Sequence, residues 1–199
     1  MLATLAVLYA VSAVAYTRLP ASTVNPGFIA FLLPTAALTI AVLMRLLAGR
    51  DPVYQRHGTS SRVYDAIVFR VVIFIGALHG VVLLGLLGRG FISRWGPVVP
   101  RLAPAVLGVA LMAIGNLLPR TRPNNAIGIR TKETLRSRDV WLRVNRRAGY
   151  VAVALGFAIL MTAVLVQPGP QVAGVVGGVG IAALVTLVAW TWRDAYRTP

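Results

Sequence analysis

IVFRVVIFIGALHGVVLLGLL, residues 67–87, holds one arginine and one histidine in a run that is otherwise apolar or glycine. A helix rises about 1.5 Å per residue, and the hydrocarbon core of a bilayer is about 30 Å thick, so a helix of this length crosses it. Outward from this run, five more segments approach or meet the same length: 2–16, 28–47, 98–118, 150–166 and 172–192. The first is short. The fourth opens on Pro100, Arg101 and Pro104, so its helix is expected to start late. Hydrophobic residues make up 57% of the 199 positions and charged residues 13%. Soluble chains are roughly 45–50% apolar and about 25% charged. The expected fold class is therefore all-α: one polytopic membrane bundle of about six transmembrane helices.

The formal net charge is +15. Such a balance invites a nucleic-acid reading. The arginines, however, sit in short segments between apolar runs, so the expected partner is the anionic inner leaflet of a lipid bilayer, with no direct nucleic-acid binding. Lys and Arg also set the orientation. Four lie in the 45–66 connection, nine in 119–147 and two at the C-terminus, against Arg18 and the trio Arg89, Arg94 and Arg101 on the opposite side. Both termini and the two basic connections are thus expected in the cytoplasm. Trp190 and Trp192 at one face, and Tyr16 and Trp95 at the other, fit interfacial belts. Gln167-Pro168-Gly169-Pro170 reads as a tight turn that makes the last two spans an antiparallel pair. The first run is read as a retained span: Ala13-Val14-Ala15 resembles a cleavage site, but no basic region precedes it.

The 119–147 connection is far longer than the usual 4–6 residues or so. Pro119 and Pro123 end the fourth helix. Asn124 and Asn125 suit a turn, and Gly128 permits a backbone angle that other residues resist. Ile127 and Ile129, two apolar residues in a cationic stretch, are expected to dip into the interface or the bundle. Thr131 can cap a short helical turn with Glu133 in its first turn, and Ser137 can cap the next helix ahead of Asp139. Val140, Trp141, Val144 and Ala148 then share one face of an amphipathic helix entering the fifth span.

The pattern G-N-x-x-P-x-x-R-P-N-x-x-x-G-I-R-T-x-x-T-L, followed by W-x-x-x-x-R-x-x-G, resembles the bacterial SdpI family. The matched positions are Gly115, Asn116, Pro119, Arg122, Pro123, Asn124, Gly128, Ile129, Arg130, Thr131, Thr134, Leu135, Trp141, Arg146 and Gly149. The chain departs at Lys132-Glu133, where the family often has Pro-Trp, and at Val144-Asn145, where it often has Thr-His. The resemblance implies a multi-pass protein of the bacterial plasma membrane that protects its host from a membrane-active peptide toxin. In the family's namesake it also implies signalling, by holding a cytoplasmic transcriptional repressor at the membrane. The candidate motif and binding residues are Asn116, Pro119, Arg122, Pro123, Asn124, Gly128, Arg130, Thr131, Thr134, Trp141 and Arg146.

Bland roles compete with these. Most of the arginines serve orientation and lipid phosphates, whereas for Arg130 recognition and loop structure weigh about equally. Asn116 and Asn124 are expected to support the fold, Trp141 to anchor at the interface, and Arg70 to snorkel. His79, mid-span, is expected to be a neutral, hydrogen-bonded packing residue. Gly76/Gly80 and Gly174/Gly178 have the spacing that lets helices approach. The acids Asp51, Asp65, Glu133, Asp139 and Asp194 form no catalytic or metal-ligand pattern with His57 and His79. No cysteine is present. Neither catalysis nor a cofactor is expected. Two other classes stay open: a small transporter or channel component, which would need polar groups lining a path, and a lipid-binding structural protein, which would tolerate reshuffling of the loop at constant charge.

Overall fold

The computed structural model describes residues 1–52, 61–87, 96, 98–167 and, in the sixth apolar run, scattered positions between 178 and 193. The regular elements assigned within these residues are helical. They are α1 (Leu2–Tyr16), α2 (Pro26–Arg50), α3 (Ser61–Leu87), α4 (Val99–Gly115), a 3-10 turn (Leu118–Arg120), α5 (Lys132–Arg136) and α6 (Arg138–Leu165). Four helices are long and apolar enough to cross a membrane: α2, α3, α4 taken through the 3-10 turn, and α6. At 15 residues α1 is apolar but shorter, about 22 Å long. The described positions of the sixth run are helical. Residues 168–170 of the expected turn and most of the span expected at 172–192 lie outside the described residues, as do Trp95 and Trp192.

Local chemistry sets the helix ends. α2 starts with Pro26 at its first position, where proline's missing N–H costs nothing. α4 begins at Val99 and carries Pro104 inside it. It stops at Gly115, three residues before the expected boundary, because the following turn tightens to a 3-10 turn around Pro119. The amphipathic helix and the fifth span, expected as 150–166, are one continuous 28-residue helix, α6.

α1, α2 and α3 share an apolar cluster that includes Leu5, Ala37, Ala41, Ile67, Val68 and Val72. Three polar links also join these helices. Tyr9 Oη and Thr35 Oγ1 lie 3.0 Å apart, Ser12 Oγ and His79 Nε2 lie 2.9 Å apart, and Tyr64 Oη donates to the Met44 carbonyl at 2.7 Å. His79 is 1% exposed and packs as a hydrogen-bonded residue between α1 and α3.

α4 and α6 pack backbone to backbone. A Cβ placed on Gly108 would lie 2.6 Å from the Gly156 carbonyl oxygen, and one on Gly149 would lie 2.6 Å from the Gly115 carbonyl oxygen. Both glycine pairs are spaced by seven residues, two helical turns, so they meet in antiparallel register at two levels. Small residues at such contacts let dispersion act over the full helix length, which matters where lipid supplies no hydrophobic drive. Arg101 Nη1 closes the far end by donating to the Val164 carbonyl at 3.1 Å, where α6 leaves its last carbonyls unpaired. The approach glycines are thus not all those expected from spacing. Gly76 does meet Leu8 of α1, but among the described residues Gly80 and Gly178 have nothing within 4 Å, and Gly174 is outside the described residues.

Gly156→Ala is expected to lower stability by about 1–3 kcal/mol through overpacking. Gly80→Ala is expected to leave stability level or slightly raised, since alanine favours the helix. Thermal unfolding of the two purified variants checks this, and equal melting temperatures would contradict the close packing.

Candidate functional site

The segment between α4 and α6 leaves the helical register, so each of its backbone N–H groups needs a partner from outside a regular ladder. Pro119 lies with its ring against Gly149, where a Cβ would meet Pro119 Cδ at 2.9 Å. Pro123 and Asn124 follow and are buried. Asn124 Oδ1 accepts from two backbone N–H groups, Ala126 at 2.9 Å and Ile127 at 2.6 Å, and its Nδ2 donates to the Arg122 carbonyl at 2.7 Å. This one side chain turns the loop. Ile127 is thereby placed in the apolar cluster of α1–α3. Ile129 is half-buried.

Gly128 has φ +100°, a region that L side chains resist. Space forbids a side chain there as well, because a Cβ would fall on Asn145 Oδ1 and meet Trp141 Cζ2 at 3.2 Å. Asn145 is completely buried: its Oδ1 accepts from Ile129 N–H at 2.9 Å, and its Nδ2 donates to the Trp141 carbonyl at 3.1 Å. Trp141 is also completely buried, and its indole N–H points to the Thr121 carbonyl at 3.1 Å. The expectation that Trp141 anchors at the membrane interface is therefore corrected. It faces the folded-back loop on the same side of α6 as Val144, Asn145 and Ala148, and the loop removes that face from any interface.

Thr131 caps α5 as a reciprocal box. Its Oγ1 accepts from Thr134 N–H at 3.2 Å, and its own N–H donates to Thr134 Oγ1 at 2.8 Å. Thr134, 1% exposed, also donates from Oγ1 to the Ile129 carbonyl at 3.0 Å. The Glu133 carboxyl is held below its ordinary value, first by its own backbone N–H and then by the Thr131 hydroxyl. Its contribution to this turn is therefore present at neutral pH and is lost as pH falls through the lowered value. Ser137 caps α6 by accepting from Val140 N–H at 3.5 Å.

Asp51, the residue that follows α2, was not among the candidates. It is 6% exposed, and its two carboxylate oxygens accept from Asn125, Oδ2 from the backbone N–H at 2.6 Å and Oδ1 from Nδ2 at 2.8 Å. It ties the loop to the end of the second helix. Its signal in the sequence was faint: one of only five acids, standing next to Arg50 in a connection that is cationic on balance. Asn145 and Thr121 were missed as well, since only the fold shows which polar residues meet loop backbone.

The motif residues divide into two groups. Pro123, Asn124, Thr134 and Trp141 are buried and build the loop. Arg130 and Arg146 are exposed, with Lys132, Arg136, Arg138 and Arg143 beside them in sequence and also exposed. Arg130 is positioned by donating from Nη1 to the Asn125 carbonyl, which aligns its guanidinium with the loop. Arg122 is half-buried and offers its carbonyl to Asn124. Arg147 lies 5.8 Å over the Trp190 ring, a cation–π contact that brings the end of the sixth run to α6. Asn116 is exposed and lines a cavity with Arg70. Among the described residues no group of three or more His, Asp or Glu is placed to hold a metal.

Asp51→Ala is expected to cost about 1.5–3 kcal/mol, the range for hydrogen bonds to a charged acceptor. Amide exchange should accelerate at residues 125–127 but not within α6. Uniform acceleration across the chain would show that Asp51 supports the whole bundle and not the loop.

Residues 120–190 match the model of the SdpI/YfhL protein family. No curated protein and no solved structure matches the chain.

Proposed function

We propose that this chain, an SdpI/YfhL-family membrane protein by its segment 120–190, gives immunity to a membrane-active peptide toxin and signals by holding a cytoplasmic transcriptional repressor at the membrane. The observation that carries this reading is the division of labour in the loop. Its buried polar residues hold a single irregular shape, and that shape presents Arg130 and its neighbours outward. A cationic surface held only for lipid phosphates needs charge but not a fixed shape. A guanidinium locked to the loop backbone offers a planar fork to a carboxylate of an acidic partner. Catalysis has no part in this reading, and neither does a cofactor.

The proposed topology has six spans in the bacterial plasma membrane, with both termini and the motif loop in the cytoplasm. It follows the asymmetry of Lys and Arg along the chain. The lack of cysteine makes the topology directly testable. A cysteine introduced by Lys132→Cys should react with an impermeant thiol reagent only after the cells are opened, and one introduced by Gln167→Cys should react in intact cells. The reverse pattern would invert the topology.

Function is tested by membrane depolarisation in cells challenged with a panel of membrane-active peptides. The wild-type chain should protect, and a loop-scrambled chain of equal charge should not. Arg130→Lys keeps the charge but loses the fork, so protection should fall about tenfold, the loss expected for one charge-assisted hydrogen bond. Equal protection by the scrambled loop would remove shape from the account. No protection by the wild type against any peptide, with expression confirmed, would remove immunity.

A further inference from the structure

Among the described residues, an opening is left between α3 and α4. Phe69 and Ile73 of α3 face Val106, Val109 and Ala113 of α4 across an apolar groove of about 550 Å3. Phe69, Ile73 and Val109 are 40%, 45% and 54% exposed, so the groove opens sideways to whatever surrounds the bundle. A second cavity of about 440 Å3 shares Arg70, Val109 and Ala113 with the first and continues past Asn116 to Val153 of α6. Arg70 is the charged residue common to both linings.

Arg70 stands three residues inside the apolar run that begins at Ile67, about 4–5 Å past its motif-loop end. A cation within a span ordinarily finds an anionic partner or a functional role. Here Nη1 donates to the Ala66 carbonyl, a neutral group one turn back, and no carboxylate pairs with Arg70 among the described residues. Snorkelling accounts for the direction of the side chain, toward the motif-loop end, but supplies no counter-charge. Asn116 lies near it with an exposed side chain that makes no hydrogen bond among the described residues.

The dimensions of the groove match half a bilayer. From Ala66 to Ala77 the α3 wall of the groove is about 16 Å long, close to half of the bilayer core of about 30 Å. It is one leaflet tall, apolar along its length and charged near one end. The volume falls within the roughly 300–1,000 Å3 of specific small-ligand sites. We propose that this groove binds one anionic phospholipid from the leaflet on the motif-loop side. The phosphate sits on the Arg70 fork, the Asn116 carboxamide donates to a phosphate or ester oxygen, and an acyl chain lies along the α3–α4 wall. Basic pockets between membrane helices hold lipid headgroups by the same chemistry. The site is separate from the loop's outward arginines and does not depend on the toxin reading.

Native mass spectrometry of the full chain, released from detergent micelles containing equal phosphatidylglycerol and phosphatidylcholine, tests it. The wild type should retain one phosphatidylglycerol with about tenfold preference, the gain from charge-assisted hydrogen bonds to a phosphate. Arg70→Gln should abolish the preference, and Arg136→Gln, in the exposed loop, should keep it. Ala110→Trp, which fills the groove, should expel both lipids. If Arg70→Gln fails to fold, as judged by its melting, Asn116→Ala serves instead and should lower the preference about threefold, a part of one hydrogen bond's worth. The proposal is overturned if a folded Arg70→Gln keeps the full preference, or if the wild type holds the two lipids equally. It is also overturned if Ala110→Trp still retains a lipid.

Discussion

An irregular backbone folded against a helical bundle must have its N–H groups satisfied, because an unpaired one buried away from water costs as much as a lost hydrogen bond or more. In this chain four side chains meet that demand at five positions between residues 125 and 131. Asp51 takes Asn125, Asn124 takes Ala126 and Ile127, Asn145 takes Ile129, and Thr134 takes Thr131. Only with these bonds made can Ile127 enter the apolar cluster of α1–α3 and Trp141 disappear beneath the loop. The amino acids in this stretch are chosen less by helix or turn propensity than by their ability to accept from a main chain with no ladder to join.

The same bonds tie together two parts of the bundle with different packing chemistry. α1, α2 and α3 meet through side chains, Ala37 and Val72 among them, with a few hydroxyl and imidazole links. α4 and α6 meet through backbone at the glycine pairs. Between α3 and α4 an apolar groove remains, and Arg70 stands in its lining. Ile127 and the Asp51–Asn125 bonds run from the α4–α6 side to the α2–α3 side at the loop end. The loop is therefore structural cement as well as a candidate recognition surface. Its buried residues perform the first task and its exposed arginines are free to perform the second.

This split explains how a family segment can be strongly patterned without each patterned residue touching a partner. Gly128 is required by a positive φ and by the atoms of Asn145 above it, and Pro119 by the flat surface that Gly149 offers. Asn145 stands where the resemblance leads one to expect histidine, and it accepts from one main-chain group while donating to another. The carboxamide supplies both functions with no proton to lose, so this joint of the loop is insensitive to pH.

Hydropathy and run length by themselves determined the all-helical class, the places of α2, α3 and α6, and the short first helix, because span length is fixed by bilayer thickness and rise per residue. Local capping chemistry determined the starts of α5 and α6 at Thr131 and Ser137, since a cap bonds only two or three residues onward. The motif and its resemblance located the loop. What tertiary structure alone decided were the contacts between residues distant in sequence: Asp51 with Asn125, Gly108 with Gly156, Thr121 beneath Trp141, and Arg70 beside Asn116. Periodicity cannot see these, because it reports which face of a helix is apolar and not what will lie against that face. Trp141 shows the difference: the sequence placed it on the apolar face of α6, and only the returning loop made that face interior.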